Sequence, residues 1–244
     1  MPVAVVTGAS RGLGAGLAEV FADRGVRLGL CARREPVLAD GADVVARQVD
    51  VTDADAVEGF LDEVVSLFGS IDLWVNNAGV VAPVAPLADL RPADVAQIIT
   101  VNVLGAAHGM QAFVRHRRSV GGGGVLVNMS SAGAEYVTAG MASYCASKAA
   151  IDRMTEAVSK EEAGTGLRAY SVWPGLVDTD MLTELRSRTA EQLPEVEMYR
   201  YLHGNGLMNS PAWVATQILD LAFGDLRPEG TRLAVPDDPA RPSS

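Results

Sequence analysis

The strongest constraint on how this chain can fold is an alternation. Apolar runs of about four to six residues, bounded by Gly, Asn or Asp, are separated by amphipathic stretches of roughly 12 to 20 residues. The runs fall at 3–7, 27–31, 44–50, 73–76, 125–129, 168–173 and 231–235. Most are continuous, so each strand must be buried on both faces, as in a parallel sheet covered by helices on each side. The stretches between them predict helices over 13–23, 54–68, 92–117, 143–162 and 211–222. The expected fold class is α/β: a doubly wound parallel sheet of about seven strands with helices on both faces. A chain of 244 residues can close such a core as a single domain.

Three stretches break the rhythm. Residues 35–43 are too few for a crossover helix and predict a compact, turn-rich connection. Residues 121–124 are all glycine and punctuate the end of a long helix. Residues 177–209 are longer than an ordinary loop and carry polar helical sequence, the pattern of a lid over about 179–209. In that lid Met181, Leu182, Leu185, Met198, Tyr199, Leu202, Leu207 and Met208 are expected to cover a nonpolar ligand, with Pro194 and Gly204-Asn205-Gly206 as hinges. The Pro-rich tail, 237–244, is expected to fray.

Composition removes several classes of function. The net charge of −10 argues against nucleic acid and anionic membranes, because counterion release needs a surplus of cations on some face. The Arg115-His116-Arg117-Arg118 cluster is read as the cationic last turn of a helix. Cys31 and Cys145 support neither a disulfide framework nor a zinc site, and the three histidines lack metal-ligand spacing, so no metal is expected. No run approaches the ~20 apolar residues of a membrane span, and Met1-Pro2 leads straight into the first strand without an export signal. A cytoplasmic protein is expected.

Chemistry concentrates at the carboxyl ends of the predicted strands. Thr7-Gly8-Ala9-Ser10-Arg11-Gly12-Leu13-Gly14 joins the first strand to a helix. Gly8 permits the sharp exit, Gly12 lets a pyrophosphate approach the backbone, and Gly14 lets the helix pack closely. The free amides of the helix start then face an anion. Asn76-Asn77-Ala78-Gly79 ends the fourth strand beside the point where strand order should reverse. Asp50-Val51 ends the third, where a carboxylate can accept from an adenine amino group. Tyr144-Cys145-Ala146-Ser147-Lys148 opens a predicted helix, and residues four apart share a face, which brings an ammonium close to a phenol.

Taken in order, Thr7-Gly8-x-x-x-Gly12-x-Gly14, Asn76-Asn77-Ala78-Gly79, Asn102, Ser131, Tyr144-x-x-x-Lys148 and Pro174-Gly175 resemble the short-chain dehydrogenase/reductase family over nearly the whole chain. The resemblance implies a Rossmann fold and a catalytic tetrad of Asn102, Ser131, Tyr144 and Lys148. Tyr144 would be the general acid or base, Ser131 would hold the substrate oxygen, and Asn102 would hold a water in a proton relay to the lysine. Lys148 would bind the nicotinamide ribose and, with the oxidised nicotinamide, lower the phenol pKa. Ser130 rivals Ser131; the spacing of thirteen residues to Tyr144 favours Ser131. The turn Pro174-Gly175-Leu176-Val177-Asp178-Thr179 would bond the nicotinamide carboxamide, with Thr179 as a side-chain partner. Val235-Pro236-Asp237-Asp238 departs from the Asp-Gly-Gly common in the family, which puts subunit contacts there in doubt.

Cofactor choice is legible after the second strand. A carboxylate there would bond the adenosine ribose, but the strand runs into Arg33-Arg34. Arg33 can fork onto a 2′-phosphate and Arg11 can approach it from the glycine turn, which favours NADP(H) over NAD(H). The expected activity is hydride transfer between NADP(H) and a carbonyl or secondary alcohol, with a small hydrophobic ketone or diketone as substrate. The wording around Val177 to Met181 is similar to sepiapterin and benzil reductases. The alternative is a non-catalytic NADP(H)-binding regulator or scaffold, which has no need for all four tetrad residues. Family analogy and the long helices around 92–117 and 143–162 suggest a homodimer or homotetramer.

Overall fold

The computed structural model describes residues 1–38 and 43–242. Seven strands form one sheet: β1 (Val3–Thr7), β2 (Arg27–Ala32), β3 (Val44–Gln48), β4 (Leu73–Asn76), β5 (Val125–Met129), β6 (Arg168–Trp173) and β7 (Arg232–Ala234). Their order is β3-β2-β1-β4-β5-β6-β7 and every pairing is parallel. The order reverses between β1 and β4, so a crevice opens at their carboxyl ends. The helices are α1 (Gly12–Asp23), α2 (Ala54–Phe68), α3 (Pro92–Ile99), α4 (Gly105–Val120), α5 (Ala142–Glu161), α6 (Asp180–Arg186), α7 (Val196–Gly204) and α8 (Pro211–Phe223).

The continuous apolar strands are continuous because both faces are covered. Ala4 and Val6 of β1 pack with Leu17 and Phe21 of α1 and with Val214 and Ile218 of α8. Val3 and Val5, one residue out of phase, pack with Phe60 and Val64 of α2 and with Met110 and Phe113 of α4. Each large side chain buried in this way contributes about 1.5–3 kcal/mol. Helix starts follow local chemistry: Asp53 accepts from Ala56 N to cap α2, and Ser210 accepts from Trp213 N ahead of Pro211 in α8.

The structure departs from the sequence expectations in three places, and a fourth expectation falls partly on residues that are not described. β3 ends at Gln48, two residues before Asp50. The helix expected over 92–117 is interrupted by a π turn at Thr100–Leu104, which contains Asn102. Of the expected connection 35–43, residues 39–42 lie outside the described residues. The tail does not fray through Pro242. Asp238 is buried, its N–H donates to Asn209 Oδ1 at 2.9 Å, and its carboxylate accepts from Ser210 Oγ at 2.6 Å. Partners far away in sequence hold the tail, which composition alone does not reveal.

Candidate active site

The glycine turn folds as its spacing requires. Gly8 and Gly12 have φ of +68° and +56°, a region that L side chains rarely adopt. A Cβ on Gly8 would come within 2.8 Å of Ala78 Cα, and one on Gly14 within 2.4 Å of Gly8 O. The β4 exit is stitched onto this turn. Thr7 Oγ1 accepts from the backbone N–H groups of Asn77 and Ala78, at 3.0 and 3.1 Å, and Asn77 Nδ2 donates to Thr7 O at 2.9 Å. Asn77 therefore holds the turn through its side chain. α1 begins without a side-chain cap, leaving its first amides to the crevice. Residues Ser10, Arg11 and Leu13 lie along the same turn. These features fit a pyrophosphate: a backbone cradle at an uncapped helix start.

The flanking residues sit at the same sheet edge with differing partners. Asp50 forms a turn with Thr52, accepting from its N–H and hydroxyl at 3.0 and 2.9 Å, and Val51 beside it is buried. Arg33 is exposed just beyond β2. Arg11 points elsewhere than expected, pairing with Asp180 at the start of α6 at 2.6 Å. Thr179 approaches the turn from the opposite side, its side chain 3.5 Å from where a Cβ on Gly12 would stand. Gly175 has φ +76° and Val177 bridges to Asn209, whose Nδ2 donates to Pro174 O at 2.9 Å. The segment after β6 is thus tied at both ends.

Tyr144 and Lys148 meet inside this frame. Both are buried on α5, with Lys148 Nζ 5.6 Å from the centroid of the Tyr144 ring. Lys148 Nζ donates to Met129 O at 2.7 Å and lies 3.7 Å from where a Cβ on Gly79 would sit, so Gly79 leaves room for the ammonium. Burial pushes the Tyr144 phenol up to about 12, against the opposing pull of the Ser131 hydroxyl. That is the reverse of the lowering expected from Lys148. Burial likewise brings Lys148 down to about 8, while Asp152 raises it. The phenol is therefore held protonated by the chain itself.

The two serines diverge. Ser131 sits beside Tyr144, its Oγ accepting from Gly133 N at 3.1 Å. Ser130 Oγ turns away and donates to Asp152 Oδ1 at 2.5 Å. Asn102 is fully buried in the π turn. Its Oδ1 accepts from Val80 N at 2.8 Å, and its Nδ2 donates to Val80 O at 2.9 Å and Ser147 Oγ at 3.0 Å. Its side chain thus clamps the loop after β4 to α5.

The walls are apolar. Val81, Val84, Met141, Tyr144, Cys145, Leu182, Leu185, Leu193, Val196 and Tyr199 form one buried cluster, with Leu176, Met181 and Met208 packed against it. Of the residues expected to cover the site, Leu182, Leu185, Tyr199 and Leu207 are buried, whereas Met198 is exposed. Sequence reading missed Asp152, whose signal is its place one helical turn beyond Lys148. It also missed Leu193 and Val196 as floor residues, since nothing local marks them.

A family model for short chain dehydrogenases matches residues 2–190. The chain is a short-chain dehydrogenase/reductase. It is 36% identical over 195 residues to a cis-4-hydroxycyclohexanecarboxylate dehydrogenase of Sinomonas cyclohexanicum, covering 75% of this chain and 76% of that one. A short-chain type dehydrogenase/reductase from Mycobacterium marinum superposes with a TM-score of 0.82 at 28% identity, covering 96% and 93% of the two chains. A 3-oxoacyl-(acyl-carrier protein) reductase from Brucella melitensis, solved in complex with NAD, superposes with a TM-score of 0.79 at 26% identity, covering 92% and 90%. As a short-chain dehydrogenase/reductase this chain is an oxidoreductase, and the family uses nicotinamide cofactors on small molecules. Among the described residues no helix is long and apolar enough to cross a membrane.

Proposed function

We propose that this oxidoreductase is an NADP(H)-dependent carbonyl reductase acting on a small hydrophobic ketone or diketone. The observation that carries the reading is the buried Tyr144–Lys148 pair beside Ser131, with the ammonium next to Gly79 at the exit of β4. A nicotinamide held at this edge would supply or accept the hydride. Ser131 donates to the substrate oxygen and fixes it near Tyr144. Tyr144 delivers its proton to that oxygen in reduction and takes it back in oxidation. The Lys148 ammonium steadies the negative charge that develops on the phenol. Asn102 sets the distance between the β4 loop and α5, and thereby the width of the site.

Three features support the finer assignments. Arg33 stands beyond β2 where an NAD enzyme of this fold carries a carboxylate, and Arg11 stands in the glycine turn, within reach of release from its exposed pair with Asp180. Asp50, Val51, Ala78 and Gly79 line the remaining cofactor edge, and Pro174, Gly175, Val177 and Thr179 the nicotinamide end. The apolar cluster under α6 and α7 favours a nonpolar substrate. A homodimer or homotetramer belongs to the same reading, supported by the exposed apolar side chains of Leu104, at the end of the π turn, and Ala146 of α5. A regulator that only binds the cofactor has no reason to bury a lysine and a phenol together, which desolvation disfavours.

The test is a panel of aldehydes, ketones and diketones offered to the purified protein with each cofactor. Consumption of NADPH with a kcat/KM at least about tenfold that for NADH is expected, the worth of one charged contact to the 2′-phosphate. Equal values for the two cofactors would remove the roles of Arg33 and Arg11. No turnover across the panel, with NADPH bound, would favour the regulator.

A further inference from the structure

Three side-chain bonds fasten α5 to the end of β5. Asn128 Nδ2 donates to Thr155 Oγ1 at 2.9 Å, Lys148 Nζ donates to Met129 O at 2.7 Å, and Ser130 Oγ donates to Asp152 Oδ1 at 2.5 Å. Residues four apart on a helix lie above one another, so Tyr144, Lys148 and Asp152 form a single column with the carboxylate one turn below the lysine. Asp152 is almost wholly buried, and a buried carboxylate must be paired. One oxygen holds Ser130; the other holds Arg232 Nε of the edge strand β7 at 2.9 Å. Arg232 is half exposed and lies 3.5 Å from Glu135, so water and a second carboxylate share its charge.

We propose that Asp152 is a positioning residue for the reaction centre: through Ser130 it sets the turn that presents Ser131 to Tyr144, and its charge holds Lys148 in the ammonium form. Arg232 is the counterweight, limiting how much of that charge Lys148 feels. The catalytic consequence rests on the carbonyl-reductase reading above, whereas the electrostatic coupling does not.

The surroundings of the pair leave few other sources for such an effect. On α5 itself the neighbouring ionisable groups are Tyr144, Cys145 and, one turn beyond Asp152, Glu156, which is paired with Arg153 and Lys160 at 2.7 and 2.9 Å; Tyr199 of α7 faces Tyr144. The π turn brings only the neutral Asn102, bonded to Ser147. α3 brings Asp94, which is closed onto Arg91 at 2.6 Å, and β6 brings Arg168, which donates to the carbonyls of Leu221 and Ala222. Neither is directed at the column. Burial lowers the lysine to about 8 and Asp152 acts against that fall, so removing Asp152 should lower it further; Arg232 sits 2.9 Å from the other oxygen of Asp152, and removing that like charge should raise it.

The chain has two lysines, Lys148 and Lys160, and Lys160 is exposed. Protein labelled with 13C at the lysine ε carbon therefore shows two resonances, each titratable by NMR without substrate or cofactor. Asp152→Asn should lower the Lys148 midpoint by about one unit, and Arg232→Met should raise it by about half a unit, with Lys160 unmoved. A purely structural role would move both variants the same way or neither, and either result overturns the proposal. If Asp152→Asn does not fold, Arg232→Met decides alone: a raised midpoint supports the coupling, and an unchanged or lowered one overturns it. The alkaline limb of the reduction rate should move with the NMR midpoint in each folded variant. A shifted midpoint with an unmoved limb upholds the coupling and overturns the assigned role of Lys148 in turnover.

Discussion

Tyr144 is held in the form that donates a proton, because burial pushes its phenol up to about 12 despite the opposing pull of the Ser131 hydroxyl. Removing the hydroxyl while keeping the ring deletes only that proton. Tyr144→Phe should lower turnover by ~10² to 10⁴ with little change in NADPH affinity. Retention of more than a third of turnover, with chemistry rate-limiting, would reassign the acid. The pH profile follows from the same two groups. Lys148 is charged below about 8 and loses its proton above it, and its ammonium is what steadies the developing phenolate. Single-turnover reduction should therefore be flat toward acid and fall as pH rises through about 8. Reduction that accelerates between pH 8 and 9 would contradict the role of Lys148. At this scale the residue types and their spacing were legible, and the distance from Ser131 to Tyr144 selects the serine that the structure sets beside the phenol. The partners were less so. Arg11 meets Asp180 across 169 positions, and Asn102 bonds Val80 because a π turn rotates it there; neither has a local signature.

Elements were readable where burial imposes a period. The inner strands sit where nearly continuous apolar runs lie between turn residues, since a two-faced sheet leaves no polar phase, whereas the edge strands β3 and β7 keep exposed polar residues. The π turn escaped because its inserted residue leaves the apolar pattern of the long helix almost intact. The 179–209 segment was read from its length and polarity, yet α6 and α7 bury Leu182, Leu185, Val196 and Tyr199 against Tyr144 and Cys145. As a lid it would be held by this cluster, by the exposed Arg11–Asp180 pair and by Asn209. Exposed ion pairs contribute little, about 0 to 1 kcal/mol, and helices of seven and nine residues are weak alone. Amides of α6 and α7 should exchange with deuterium much faster than those of β1, β4 and β5 in the free protein, and slow on adding NADP⁺ with a product alcohol. Protection equal to the sheet's, unchanged by ligand, would make the segment scaffold.

For the molecule as a whole, the alternation and the glycine turn were enough to anticipate one parallel sheet whose order reverses at the site, because chain reversal and burial are imposed by topology. How the far end of the sheet is closed was not legible. The Arg115-His116-Arg117-Arg118 cluster does close α4 with Arg117 and Arg118 in its last turn, and three of its members also fasten neighbouring elements. Arg117 donates to Ser70 Oγ, Ile71 O and Gly123 O, each at 2.9 Å, and Arg118 pairs with the buried Glu162. His116 is buried, and its Nε2 accepts from Ile71 N at 3.2 Å just before β4. That bond requires a neutral ring nitrogen. Burial, then the neighbouring Arg117 charge, lowers the His116 pKa below its usual 6.5. The unfolded chain therefore binds a proton more readily than the folded one. The stabilisation is complete above the unfolded value of about 6.5 and is lost as pH falls through the lower folded value, at no more than ~1.4 kcal/mol per pH unit for one proton. Most carboxylates titrate below this window, near pH 4. The melting temperature should thus fall between pH 6.5 and 5, and His116→Gln, whose side-chain oxygen can still accept from Ile71, should flatten that fall while unfolding at a similar temperature near pH 7.5. An equal slope in the variant would show that the acid sensitivity of this fold arises elsewhere.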